Sequence, residues 1–177
     1  MTMRRIGLSL ALILLGVTLL ANSVHLKGGA NAQPSFNDLG LALEAAASLA
    51  GLGNGDVLVT LAATANVTAT CTNQGGNAAP GQNPAPISVS GSQAIPEEAI
   101  KNGTTPFDVV TIAPVAIIPG APDCANPNWT EAITDLSFTS ATITVEQPPG
   151  TRVLSVGCTF TPATTNGAVP GATVACS

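Results

Sequence analysis

Asp56-Val-Leu-Val-Thr-Leu-Ala-Ala-Thr-Ala-Asn-Val-Thr-Ala-Thr-Cys71 decides the fold class. Val57, Val59, Leu61, Ala63, Ala65, Val67, Ala69 and Cys71 hold the odd positions, while Thr60, Thr64, Asn66, Thr68 and Thr70 hold most of the even ones. Leu58 and Ala62 are the exceptions. A two-residue period over such a run predicts a strand with one buried face. Thr and Val both suit a pleated surface.

The flanks repeat the pattern. Asp38 to Ala50 carries two periods: Leu39, Leu43 and Ala47 have helical spacing, and Leu39, Leu41, Leu43 and Leu49 alternate with Gly40, Ala42, Glu44 and Ser48. We favour strand, because Gly51-Leu52-Gly53-Asn54-Gly55 then reads as a hairpin turn into the central strand. Thr72 to Pro86 is a loop rich in Pro and Gly. Its Gly-Gly pair precedes no helix and no Lys, so it is no phosphate loop. Ile87, Val89 and Gly91 give a short strand, Pro96 to Lys101 one helical turn, and Phe107 to Ile112 a strand buried on both sides. Ala113 to Asn128 is a second Pro-rich crossing.

From Trp129 onward the apolar phase slips. Trp129 and Ile133 are odd, Leu136 and Phe138 even, and Ala141, Ile143 and Val145 odd again. A bulge near Ser137 to Ser140, or a change of sheet, accounts for this. Leu154, Val156, Cys158 and Phe160 form the next strand, and Val174 and Cys176 the last. About eight short strands between turn clusters predict an all-β, antiparallel, immunoglobulin-like sandwich.

The chain has 177 residues, enough for one domain with its own core. Met1 to Ala32 reads as a secretory signal, leaving residues 33 to 177 as a single domain. Arg4 and Arg5 precede the apolar run Ile6 to Ala21, and Ala30-Asn31-Ala32 provides a small-residue cleavage site before Gln33. The alternative is an uncleaved anchor, but the apolar run is short for a span of about 20 residues. No stable membrane span is expected after cleavage. Beyond position 32, ten acidic side chains face two basic ones, a net charge of −8. Such a surface repels phosphate backbones and excludes nucleic acid.

The four cysteines, Cys71, Cys124, Cys158 and Cys176, are even in number and all follow the leader, so they read as two disulfides. Three connectivities are possible. Cys158 and Cys176 flank a loop centred on Gly167, and their numbers sum to twice 167, which places them opposite each other in a symmetric hairpin. That pairs Cys158 with Cys176 and Cys71 with Cys124. A bulge beside Pro162 or Pro170 would favour Cys71 with Cys176 and Cys124 with Cys158.

The remaining chemistry is sparse. Removing the leader removes His25, the one histidine, and the chain has no Tyr. No Ser–His–Asp or Cys–His site can form without His, so no catalytic residue is assigned and the protein is expected not to be an enzyme. Glu97 and Glu98 read as solvated acids. Asp123, Asn126, Asn128, Glu131 and Asp135 form an oxygen-rich cluster, but its spacing fits no calcium loop, so no metal site and no cofactor is assigned. Asn66, Asn102 and Asn128 each begin an N-x-T triplet. Trp129 reads as a core or edge filler.

GLGNGDVLVTL, TCTNQGGNAAPGQNP, CANPNWT and the closing CTFTP and VAC segments resemble a group of small secreted microbial β-sandwich proteins of uncharacterised function. The resemblance covers most of Gly51 to Ser177 and implies no activity and no site residue. The expected role is structural or adhesive, outside the cell or in its envelope, with cell-surface proteins or glycans as partners. The alternative is a carbohydrate-binding or Ca-dependent ligand-binding module.

Overall fold

A computed structural model describes residues 23–29, 31–81 and 84–177. The basic pair and apolar run of the expected leader lie outside these residues.

Among the described residues, twelve strands alternate with loops: β1 (His25–Leu26), β2 (Ser35–Asp38), β3 (Leu43–Ala50), β4 (Val57–Thr72), β5 (Ala78–Pro80), β6 (Ile87–Ile95), β7 (Thr105–Val110), β8 (Ile117–Ile118), β9 (Thr130–Glu146), β10 (Arg152–Phe160), β11 (Gly167–Ala168) and β12 (Val174–Cys176). The strands not read from the sequence, β1, β2, β5, β8 and β11, are pairings of two to four residues, too short to leave a period in the sequence.

All pairings are antiparallel, in two sheets. In the first, β3 is central. β1 and β2 take successive parts of one edge and β7 takes the other, while β11 pairs with β2. In the second, the long strands β4 and β9 pair over almost their whole length. β5 and β6 line the outer edge of β4, and β8 and β10 line that of β9, with β12 beyond β10.

The odd face of β4 is buried from Val57 to Cys71, and it meets Leu43, Ala45 and Leu49 of the first sheet in a common core. β3 and β4 are therefore not the two arms of a hairpin. Each turns one apolar face into the same core from a different sheet, so Gly51 to Gly55 is a crossover. Gln147 holds this crossover: its amide oxygen accepts the Gly53 N–H, and its amide nitrogen donates to the Gly53 and Gly55 carbonyls, each at 2.9 Å.

β7 is not buried on both sides. Thr105, Phe107 and Val109 face inward, but Val110 and Ile112 point to solvent. Beside β7 the sheets close on each other. Ile112 N–H donates to Ser90 O at 2.9 Å, and Gly91 lies so near that an added Cβ would sit 1.9 Å from Val110 O. Only glycine tolerates that approach.

The phase slips along β9 arise from two bulges, where one was expected. Thr134 and Thr139 have no partner in the β4 register. The hydroxyl of Thr134 donates to Thr68 O at 3.3 Å, and that of Thr139 to Thr64 O at 3.2 Å. Each extra residue thus substitutes a side-chain bond for the interrupted ladder.

Cys158 and Cys176 face each other in register and are bridged, with Cα atoms 4.0 Å apart. Cys71 is bridged to Cys124, with Cα atoms 5.7 Å apart. Two such bridges fit folding in an oxidising environment.

Candidate functional site

At one end of the β4–β9 pair, two loops meet. After β4 the chain turns through Asn73 to Asn77, with the Asn73 side-chain oxygen accepting the Asn77 N–H at 2.9 Å. Before β9 the Asn126 side-chain oxygen accepts the Asn128 N–H at 2.9 Å, and the Asn126 carbonyl accepts the Trp129 N–H at 3.0 Å. Asn favours such turns because its side chain mimics a backbone acceptor. The Cys71–Cys124 bridge joins the bases of the two loops.

Between them lies an open groove of about 330 Å³, lined by Asn73, Gln74, Gly75, Asn126, Asn128 and Trp129. Its chemistry is amide and indole. The Asn73 and Asn126 oxygens are engaged by the backbone, which fixes both side chains and leaves their nitrogens as donors. Trp129 is half-buried and stands outside the common core, so it is an edge residue and a wall of the groove. Sequence reasoning missed this groove because amides in Gly- and Pro-rich stretches read as turn formers.

The oxygen-rich cluster separates. Glu131 is fully buried, and one of its oxygens accepts the Asp123 N–H at 3.2 Å, so it props the loop from beneath. Asp135 lies elsewhere, near Gly40 and Asn166. Among the described residues, no three His, Cys, Asp or Glu side chains converge as metal ligands. Glu97 and Glu98 sit exposed on a single helical turn.

A carboxylate the sequence did not single out is Asp38, only 2% exposed. It accepts the Gly40 N–H at 2.9 Å and the Thr164 hydroxyl. Thr164 in turn accepts the Phe138 N–H through its hydroxyl and donates its own N–H to Phe138 O, both at 2.9 Å. Burial raises the Asp38 pKa above its ordinary value, the two hydrogen bonds oppose that, and the charge of Asp135 adds slightly to it. The arrangement ties the two sheets together and is a structural clamp.

The second surface feature is apolar. Val110, Ile112, Val115 and Ile117 are 43%, 75%, 83% and 52% exposed along one stretch of chain. Single exposed apolar residues are ordinary, but four within eight positions, all bulky and β-branched, are not. The backbone of this stretch is fixed at both ends, by Thr111 N–H to Leu43 O at 2.9 Å and by Ile133 N–H to Ala116 O at 2.7 Å.

Set against family models, curated proteins and solved structures, the chain matches none.

Proposed function

We propose that this chain is an exported, immunoglobulin-like β-sandwich of the small secreted microbial type, which acts by surface contact and without catalysis in a structural or adhesive role. The observation that carries this reading is the exposed Val110–Ile117 stretch, an apolar surface held by a fixed backbone. Two antiparallel sheets around one core, stapled by two bridges, support the extracellular setting. Cell fractionation followed by pull-down from the extracellular and envelope fractions tests it. Recovery with protein partners supports the reading, and a purely cytoplasmic protein contradicts it.

A second reading has its own observation. The groove beside Trp129 combines an aromatic wall with fixed amide donors, the pairing of groups that binds a sugar's apolar face and its hydroxyls. Binding to a glycan panel, lost in Trp129→Ala, tests this carbohydrate-binding reading.

A further inference from the structure

Two small-residue triplets lie at or beyond the end of the apolar run Ile6 to Ala21. Ala30-Asn31-Ala32 is the better sequence match to a cleavage site, and Ala21-Asn22-Ser23 is the nearer to the run. Cleavage after Ala32 would discard the nine residues Val24 to Ala32. The structure gives the described ones among them work in the fold.

Val24 and Leu26 are 9% and 7% exposed and belong to the common core. His25 and Leu26 pair with Ala50 and Leu49, and Lys27 N–H donates to Ser48 O at 2.7 Å. β2 covers the edge of β3 only from Leu43 to Ala46, so β1 supplies the pairing for its last residues. Beyond β1, Ala32 N–H donates to Gly29 O at 3.0 Å in a turn that leads into β2. His25, Leu26, Gly29 and Ala32 form one wall of a cavity of about 450 Å³, and Leu154, Val156 and Cys176 are in the other. Removal of the segment would strip that open cavity of one wall, uncover the core around Leu49 and leave one edge of β3 unpaired at its end. A leader meant for disposal needs no alternation that fits a sheet edge.

We infer that the leader is cut within or at the end of Ala21-Asn22-Ser23, so that the exported chain begins no later than Val24 and keeps β1. His25 then stays in the mature protein as its one histidine, and Lys27 adds a third positive charge. The inference rests on the export reading only for the existence of a leader.

N-terminal sequencing and intact mass of the full chain recovered from the medium or envelope of an exporting host decide it. A start at Asn22, Ser23 or Val24 supports the inference. A start at Gln33 overturns the site while leaving export intact, and an uncut chain starting at Met1 overturns both. Ala32→Arg blocks a peptidase acting after residue 32 but lies outside the inferred site. Processing should be unchanged in this variant, and accumulation of its precursor would overturn the assignment.

Discussion

Asp38 and Thr164, 126 positions apart in the chain, share a buried hydrogen bond that joins the two sheets. Asp38 ends β2 in the first sheet, and Thr164 is bonded to Phe138 of β9 in the second. The donor is a neutral hydroxyl, so the clamp survives protonation of the acid in a weaker form, and the consequence of titration can be worked out.

Burial raises the folded-state pKa of Asp38 above 3.8, so the folded chain holds this proton to higher pH than the unfolded chain does. Stability linked to this group is therefore fully present below 3.8 and is lost as pH rises through the raised value. The difference in denaturation midpoint, wild type minus Asp38→Asn, should fall as pH rises from about 3 to 7. A difference that is flat or rises over that range would show that burial does not govern this carboxyl.

The inward face of β4 should carry a large share of the stability. Leu61 is fully buried, so Leu61→Ala should cost about 2–5 kcal/mol through lost transfer energy and a residual cavity. Thr68 lies on the outer face, so Thr68→Ala should stay within about 0.5 kcal/mol. Urea titrations of both variants make the comparison, and a midpoint for Leu61→Ala no lower than that for Thr68→Ala would contradict the burial of this face.

Gly91→Ala places a methyl group against the Val110 carbonyl, and neither backbone can yield without parting β6 from the chain after β7. The expected loss is about 3 kcal/mol, the upper range for overpacking. Hydrogen exchange should show faster exchange at Ile112, whose N–H is bonded to Ser90 O.

The two bridges close loops of different size, with sequence separations of 53 and 18. On the chain-entropy account, removing both sulfurs of Cys71–Cys124 should cost about 4 kcal/mol, and removing Cys158–Cys176 about 3 kcal/mol. Paired Cys→Ala variants measure this order. On the carbohydrate-binding reading proposed for the Trp129 groove, loss of the first bridge should also abolish glycan binding there, while loss of the second should leave it intact.

Much of this fold is legible in the chain because a two-residue period reports burial directly. The inward face of β4 is readable residue by residue, and so is the phase slip caused by the bulge at Thr139 in β9, whereas the second bulge, at Thr134, is not separated from it. The opposition of Cys158 and Cys176 follows from a hairpin symmetric about Gly167. What the period does not report is which sheet a strand joins. β3 and β4 both alternate, both face one core and are joined by glycines, so a hairpin and a crossover look alike until their partners are known. The Asp38 clamp is illegible for another reason. An Asp before Leu-Gly reads as a turn residue, and its partner lies in a distant loop. The strand Phe107 to Ile112 misleads in the opposite direction, because apolar residues on both of its faces predict burial on both, yet Val110 and Ile112 are exposed.

The exposed Val110–Ile117 stretch is the central claim of the functional reading, and its side chains can be changed without touching the core. Ile112→Ser combined with Val115→Ser leaves the backbone bonds in place, so the denaturation midpoint should hold. Binding of the purified chain to envelope or extracellular protein, wild type against this double variant, is the most direct measurement. The account predicts at least a tenfold loss of affinity, about 1.4 kcal/mol. Equal binding by the two proteins, at matched stability, would contradict it.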